Sequence, residues 1–253
     1  MLKHLAAAVA LFAVAGHAAA ADLRICVEGA YPPFSEVTPE GELAGFDIDI
    51  AGALCTEMGK DCELVQTEWD GIIPALLERK CDAILASMSI TEDRMKVIDF
   101  TNKYYQTPAK FVAAADAGLT DTPEAMAGKT VGVQRGTIHQ HFMESVYPDV
   151  ELNLYRTQHD AYLDLQAGRV DALMADSVAM NDGFLQTENG QGFAFFGEDY
   201  SIPEFHGDGA GIGIRKGSDD LKGAFNAAID AIRASGVYDE IRSKYFDFDI
   251  YGS

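Results

Sequence analysis

The sequence predicts an α/β protein made of two lobes, each a doubly wound sheet with helices on both faces. Short apolar runs alternate with longer amphipathic stretches, which is typical of strand–helix units with parallel pairing. A sequence echo indicates the two lobes, because residues 82–87 (DAILAS) are similar to residues 171–176 (DALMAD). Ser87 and Asp176 would then lie at equivalent strand ends and face each other across a cleft, where ligands of open sheets bind.

The first 21 residues are predicted to be a secretory signal peptide. Lys3 precedes an apolar run, residues 5–15, and small residues follow at 18–21, which is the usual order of such a signal. No cysteine stands at the expected cleavage site, so we expect no lipid anchor, and no later apolar run is long enough to span a bilayer. The mature protein is therefore expected to be soluble and exported.

The chain is strongly acidic, with 19 Lys and Arg against 40 Asp and Glu and a formal net charge of −21. This charge argues against nucleic acid as a partner, since such proteins neutralise phosphates with basic side chains. An acidic surface also keeps a protein soluble, and we give this interpretation more weight than a surface for cations.

The first half contains three predicted strands, at residues 23–27, 62–66 and 82–86, and two predicted helices, at 48–58 and 71–79. The strands are short and apolar, and each is followed by a loop that contains polar or aromatic side chains. Because parallel strands end at the same edge of a sheet, these loops are expected to gather on one side of the lobe.

Residues 87–94 (SMSITEDR) follow the strand 82–86 and are predicted to open a helix. Ser89 stands three residues before Glu92, the spacing of a capping box. Backbone N–H groups at a helix N-terminus favour an anion, and the Arg94 guanidinium matches a carboxylate with two parallel hydrogen bonds. The alternative is an ordinary capped helix with a surface arginine.

The second half begins a similar series after a loop rich in small and polar residues. The predicted elements are strands at 130–133, 170–175 and 209–215, and helices at 159–167, 221–235, 238–245 and from Ile138 onward. The tail after residue 209 has no further lobe of its own, so we expect it to return to the first. The predicted division is residues 22–107 with 203–253 for lobe 1, and 108–202 for lobe 2.

Four cysteines occur in this exported chain, a setting in which disulfides persist. Cys55 and Cys62 are predicted to form one, which would join a helix end to the next strand. Cys26 and Cys81 lie within or beside apolar strands, where buried free thiols are the default expectation. A second disulfide stays open as the alternative.

Polar and aromatic side chains collect at the predicted strand ends. They are Glu28, Tyr31, Trp69, Ser87, Ser89, Arg94, Thr137 and Asp176. Each alone has an ordinary interpretation, such as a core aromatic, a solvated carboxylate or, for Asp176, a helix N-cap.

Together these side chains match the groups of one ligand. Arg94 at a helix N-terminus suits a carboxylate, and Asp176 with Ser87 suits an ammonium group. Tyr31 and Trp69 offer aromatic faces to a cation, a contact worth about 0.5–2 kcal/mol, and Glu28 adds a charge-assisted hydrogen bond. The set predicts a site for an α-amino acid with a cationic side chain.

Several motifs extend this pattern over the whole mature chain. They are residues 28–34 (EGAYPPF), 45–50 (GFDIDI), 69–74 (WDGIIP), 82–94 (DAILASMSITEDR), 167–172 (AGRVDA) and 244–251 (KYFDFDIY). With them the chain resembles the periplasmic solute-binding proteins of ABC amino-acid importers, in the branch that binds lysine, arginine, ornithine and histidine.

The resemblance implies two lobes, joined by two crossing strands, that close like a flytrap on one amino acid. It places the carboxylate-binding arginine at Arg94, helped by the Ser89 backbone and the turn at Thr137 and Ile138. It places the amino-group acid at Asp176. It also implies an aromatic pair at Tyr31 and Trp69, a side-chain acid at Glu28, and a disulfide between Cys55 and Cys62.

The same resemblance implies a monomer in the periplasm that docks on a membrane permease and needs no cofactor or metal. Three positions depart from the commonest pattern of the branch, namely Ala86, Ile138 and His139, and they affect how related ligands are ranked. Trp69 and Glu28 favour arginine or ornithine over histidine.

Other functions fit the sequence less well. A dehydratase of similar fold would need acid–base groups, for which Glu28, Asp176 or His139 are candidates, but no nucleophile–base pair is present. A metal site at His139, His141 and Glu144 is disfavoured, because positions two apart on a helix point to different faces. A receptor sensor domain would need a membrane span. An opine, which adds a carboxylate to arginine, would need a second cation, for which Arg135 is the candidate.

Overall fold

Two five-stranded sheets organise the chain, which the computed structural model describes over residues 21–252. Numbered in chain order, the strands are β1 (Leu23–Val27), β2 (Ala30–Tyr31), β3 (Ser35–Val37), β4 (Leu43–Ala44), β5 (Cys62–Gln66), β6 (Ala83–Ile84), β7 (Asp99–Tyr105), β8 (Ala109–Ala114), β9 (Thr130–Gln134), β10 (Glu151–Tyr155), β11 (Ala172–Asp176), β12 (Phe193–Tyr200) and β13 (Ala210–Ile214). The helices are α1 (Phe46–Glu57), α2 (Trp69–Leu77), α3 (Glu92–Met95), α4 (Pro123–Met126), α5 (Ile138–Val146), α6 (Gln158–Gln166), α7 (Ser177–Met180), α8 (Pro203–His206), α9 (Asp219–Ser235) and α10 (Val237–Tyr245). The predicted signal peptide lies almost entirely outside the described residues.

The two sheets have the same strand arrangement. The first has the order β5-β1-β6-β13-β7 and the second β10-β9-β11-β8-β12. In each sheet the first three strands pair in parallel, and the fourth, β13 or β8, runs antiparallel to both of its neighbours. The α/β class is confirmed. Strand–helix alternation predicted parallel pairing, and this was wrong for the fourth strand of each sheet. In both sheets this antiparallel strand is the first one that the chain forms after crossing from the other sheet.

The sequence echo has a structural counterpart. β6 and β11 occupy the same third place in their sheets, so residues 82–87 and 171–176 are topologically equivalent. The chain crosses between the sheets twice, at residues 106–108 and again at 201–209, and the second crossing contains α8. Phe205 of α8 packs against the core of the second sheet. The lobe boundaries at residues 107 and 203 stay a prediction.

Side chains on alternate faces of each sheet build separate cores, as the period of two along a strand requires. Ile25 packs with α1 and α9 on one face of the first sheet, whereas Cys26 packs with α2 on the other. In the second sheet Met174 faces α5 and Leu173 faces α6. Burying each large apolar side chain fully contributes about 1.5–3 kcal/mol, so helices cover both faces of both sheets.

Both pairs of cysteines form disulfides. Cys55–Cys62 was predicted and is confirmed, with Cα atoms 6.2 Å apart. Cys26 and Cys81 also form a disulfide, with Cα atoms 5.7 Å apart, so the expectation of free thiols was wrong. The reason is strand order: β1 pairs with β6, which brings Cys81, just before β6, beside Cys26 on the same face.

The helix after β6 begins later than the capping-box spacing predicts. Its N-cap is Thr91, whose hydroxyl accepts a hydrogen bond from the Arg94 N–H at 3.3 Å. Ser89 instead forms a β-bridge with Ala210. Pairing with β13 therefore keeps Ser89 extended and delays the helix. Among residues 21–252 no helix combines the length and the apolar character needed to cross a membrane.

Candidate functional site

One cavity lies between the two sheets, where the carboxyl ends of their strands face each other. All nine residues predicted for the site line it, namely Glu28, Tyr31, Trp69, Ser87, Ser89, Arg94, Thr137, Ile138 and Asp176. Ala86 and His139, noted as departures, line it as well. The space open to the centres of water molecules is about 60 Å³, more than one water needs.

Arg94 reaches the cavity from the short helix α3. Its guanidinium lies over the Trp69 ring, 5.3 Å from the ring centroid. Nη1 donates to the Ser89 carbonyl at 2.9 Å, and Nη2 donates to the Gly136 carbonyl across the cleft at 3.5 Å. Desolvation lowers the pKa of Arg94 to about 10, so the side chain stays charged at neutral pH. Arginine has five N–H donors, and these contacts leave others for a ligand.

Ser87 is held by a network that the sequence did not reveal. Its hydroxyl donates to Asp47 Oδ2 and the Tyr104 hydroxyl donates to Oδ1, each at 2.9 Å. The Ser87 N–H in turn donates to the Tyr104 oxygen at 3.0 Å. Asp47 is fully buried, and desolvation raises its pKa to about 7. Ser87 has a φ of +53°, which is uncommon outside glycine, and this network holds it there.

Asp176 ends β11, and its predicted interpretation as a helix N-cap is confirmed. Oδ1 accepts the N–H groups of Val178 and Ala179, at 2.8 and 3.0 Å, as the N-cap of α7. Oδ2 accepts a hydrogen bond from the Thr107 hydroxyl. The residue is 9% exposed, and desolvation raises its pKa to about 6 despite these donors.

Glu28 follows β1 and is 6% exposed. Its Oε1 accepts a hydrogen bond from Gln134 Nε2 at 2.6 Å. Desolvation raises the pKa of Glu28 to about 7, with the Gln134 bond opposing the shift and the Asp70 charge adding to it. Gln134 was missed by the sequence analysis. It ends β9 in the second sheet, so the rule that collected the other residues would have found it.

Thr137 is the N-cap of α5, with its hydroxyl accepting from the Gln140 N–H at 3.3 Å. The same hydroxyl donates to the Gln134 carbonyl at 2.6 Å. Because the cap uses the hydroxyl, the groups that this turn can offer a ligand are the backbone N–H groups that begin α5, which have no partner within the helix. Ile138 lacks a hydroxyl but has one of these backbone N–H groups.

Two ion pairs join the rims of the cleft on either side of Trp69. Arg135 pairs with Asp70, and Arg156 pairs with Glu68. In both cases the arginine belongs to the second sheet's side and the acid to the first. Arg135, the candidate second cation for an opine, is thus engaged by Asp70.

Two equivalent α/β units that enclose a polar cavity have the architecture of a two-lobed binding protein. The model of the bacterial extracellular solute-binding proteins, family 3, matches residues 23–248, and the chain belongs to this family. It is 50% identical over 250 residues to the L-arginine-binding protein of Pseudomonas aeruginosa, covering 98% of this chain and 96% of that one.

Two further similar proteins are periplasmic binding proteins. The lysine/arginine/ornithine-binding periplasmic protein of Escherichia coli is 38% identical over 232 residues, covering 91% of this chain and 89% of that one. A periplasmic binding protein of Salmonella typhimurium with high arginine specificity is 31% identical, with a TM-score of 0.81 over 88% of this chain and 98% of its own.

Proposed function

We propose that this protein captures a cationic L-amino acid, arginine, ornithine or lysine, between its lobes and delivers it to an ABC permease. The observation that carries the proposal is the charge of the cavity. Among the described residues Arg94 is the one Lys or Arg that lines it, whereas Glu28 and Asp176 line it as buried carboxylates. A cationic amino acid brings one carboxylate and two cations, which complements this set.

Each group of the ligand has a proposed partner. Arg94, the Ser89 backbone and the N–H groups at Thr137 and Ile138 bind the carboxylate, by charge-assisted hydrogen bonds and the helix dipole. Asp176 binds the ammonium group together with Ser87. The Ser87 hydroxyl donates to Asp47, so the oxygens of Ser87 stay available as acceptors.

The side-chain cation lies between Tyr31 and Trp69 in this proposal and ends at Glu28. Burial raises the pKa of Glu28 to about 7, because desolvation disfavours the charged carboxylate. A ligand cation beside it would favour the ionised form. Closure adds the groups of the second lobe, and the ligand stabilises the closed form through contacts made only there.

The test is isothermal titration calorimetry of the mature protein with arginine, ornithine, lysine, histidine and neutral amino acids. Glu28→Gln should weaken arginine at least about tenfold, since a charge-assisted bond becomes a neutral one, and should leave neutral ligands unchanged. Glu36→Gln, an exposed change on β3, is the matched control. Unchanged arginine affinity in Glu28→Gln would place the side-chain site elsewhere.

Opines and histidine are the alternative ligands. An opine requires a second cation, and Arg135 pairs with Asp70, so the proposal does not favour this class. Histidine is shorter and carries less charge at neutral pH, so it would use Glu28 less well than arginine does. The same titrations rank these ligands.

We also propose that the protein is not an enzyme. Of the acid–base candidates, His139 has its pKa lowered to about 3 by desolvation, His206 and Arg94, so it is a weak base at neutral pH. Mass spectrometry of each ligand after prolonged incubation should recover it unchanged. A dehydrated product would overturn this part.

The periplasm is the proposed location, after removal of residues 1–21, and a monomer the proposed state. The similarity to periplasmic binding proteins supports this location, and the predicted signal peptide supports export. Light scattering of the mature protein, with and without arginine, checks the monomer.

A further inference from the structure

The cavity is lined by further polar residues besides those predicted from the sequence. His139, in the first turn of α5, and His206, the last residue of α8, both line it, together with Ser201. The two imidazole rings lie 6.4 Å apart between centroids, and each residue is only 7% exposed. We call His139 and His206 the histidine pair.

Each member of the pair has a buried nitrogen without a hydrogen-bond partner among the described residues. These atoms are Nδ1 of His139 and Nε2 of His206. A buried polar group left unpaired costs about 1–3 kcal/mol, and native proteins contain few of them. Both residues line the same cavity, which makes a ligand bound there the candidate partner.

The hydrogen bonds around His206 indicate which of its ring nitrogens is a donor and which is an acceptor. The Ile202 N–H donates to Nδ1 at 3.2 Å. The Ile202 carbonyl oxygen lies 3.3 Å from the same nitrogen, but this carbonyl already accepts the N–H groups of Phe205 and His206. Nδ1 is therefore an acceptor, and burial keeps the ring neutral by lowering its pKa. A neutral imidazole carries one proton, so that proton lies on Nε2, which is a buried donor.

Packing holds the His206 ring in place. His206 contacts the Phe142 ring of α5, with centroids 5.1 Å apart. Gly207, which follows it, has a φ of +69°, and a Cβ there would lie 2.0 Å from the Ile90 carbonyl oxygen. The chain must therefore turn at this point, which fixes where α8 presents His206.

The pair lies on the carboxylate side of the cavity. His139 directly follows the Thr137–Ile138 turn, and the Arg94 charge acts on its ring. A group that reaches the pair therefore extends from the ligand's carboxyl end.

Resting on the proposed function, we propose that the histidine pair is a second subsite, which binds an oxygen acceptor attached beyond the ligand's α-carbonyl carbon. The ligand class is a cationic amino acid extended at its carboxyl end by an amide link, as in a dipeptide. His206 donates from Nε2 to that oxygen, and Arg94 holds the neighbouring carbonyl or carboxylate.

The test titrates L-arginine, L-arginylglycine and an arginine that carries a carboxyethyl group on its α-nitrogen. The wild type should bind arginylglycine within about tenfold of arginine. His206→Phe keeps a ring against Phe142 but removes the donor, so it should weaken arginylglycine about tenfold and arginine less than threefold. His206→Gln retains an N–H donor and should restore binding, and His159→Phe on the exposed face of α6 is the control.

If the wild type binds arginine but binds arginylglycine more than tenfold more weakly, the proposed subsite is wrong. A preference for the α-nitrogen derivative over arginylglycine would also overturn it. Equal weakening of arginine and arginylglycine by His206→Phe would assign His206 to packing instead. If arginine itself does not bind the wild type, the proposed function fails, and that result is distinct from all of these.

Discussion

The two lobes share a strand order but hold their cavity residues by different means. The first lobe contains both disulfides and fixes Ser87 through the buried carboxylate of Asp47. The second has no cysteine in residues 108–202. Its cavity residues Thr137 and Asp176 are the N-caps of α5 and α7.

The difference indicates how recognition is divided. In the first lobe Ser87 is positioned by partners within the lobe's own interior, so this residue is ready before closure, although Glu28 and Arg94 also have partners across the cleft. In the second lobe two cavity groups take partners across or at the cleft: Gln134 binds Glu28, and Asp176 binds Thr107. We infer that the second lobe reaches its final arrangement on closing, and the following experiments test this division in order of expected effect.

The disulfides should give the largest effect, because they restrict the unfolded chain of the first lobe. Cys26–Cys81 spans 55 residues and Cys55–Cys62 spans 7, for which loop-closure entropy corresponds to about 4 and about 2 kcal/mol. Replacing each pair by alanine should lower the free energy of unfolding in this order. Urea titration of the ligand-free protein, followed by fluorescence of the single Trp69 in this lobe, measures it. An equal loss for both pairs would contradict the loop-length argument.

Removing the guanidinium of Arg94 should abolish recognition of the group common to all amino acids. Arg94→Ala is expected to weaken every ligand by about 100-fold or more, as for truncating a buried charged partner. The control is Arg135→Ala, which breaks an exposed ion pair with Asp70 and should change affinity little. Ligand titration followed by Trp69 fluorescence compares them, and similar losses would show that rim contacts dominate.

The pH dependence of ligand binding tests one carboxylate of each lobe, Glu28 in the first and Asp176 in the second. The pKa of Glu28 is raised to about 7 and that of Asp176 to about 6, so both take up protons as pH falls from 8 to 5. Cation affinity should fall by about 10- to 100-fold over this range. The ligand-free folded state binds more protons than the unfolded chain between about pH 4 and 7, so these groups make it less stable as pH rises.

Calorimetry in buffers of different ionisation enthalpy should detect proton release on binding. Glu28→Gln should remove the proton release that comes from Glu28 and leave the release that comes from Asp176. Asp176→Asn should do the reverse. A pH-independent affinity in the wild type would mean that neither carboxylate touches the ligand's cations.

Asp47→Asn should give the smallest effect and tests the preorganised half directly. An amide oxygen replaces one acceptor, but the amide N–H₂ cannot accept the second hydroxyl, so Ser87 or Tyr104 loses its partner. Such a loss costs about 1–2 kcal/mol, and we expect about tenfold weaker binding and a lower Tm. Asp230→Asn, on the exposed face of α9, is the control. Unchanged affinity with a lowered Tm would limit Asp47 to folding.

Much of the site could be predicted because one rule collects it. Polar residues that follow apolar strands meet at one edge, so Glu28, Trp69, Ser87 and Asp176 were found without any knowledge of strand order. Gln134 obeys the same rule, since it directly follows the predicted strand 130–133, but it was not included. Asp47 could not be found this way, since it belongs to the first turn of helix α1 and contacts Ser87 from there.

The residues that were misjudged depend on contacts between distant segments. Ser89 has the spacing of an N-cap, but pairing with Ala210 keeps it extended. Cys26 and Cys81 have the apolar surroundings of buried thiols, but β1 and β6 are neighbours. His206 was not predicted to line the cavity, because nothing in its local sequence places it beside His139.

By itself the sequence determined the α/β class, the alternating faces of the strands and the chemistry collected at their ends. These follow from short-range periodicity, because a side chain's face depends only on its place in a strand or helix. The tertiary structure alone decided which strands are neighbours, that each sheet has one reversed strand, and which polar groups pair across the cleft. Those features depend on packing between segments 55 to more than 100 residues apart, which no local pattern records.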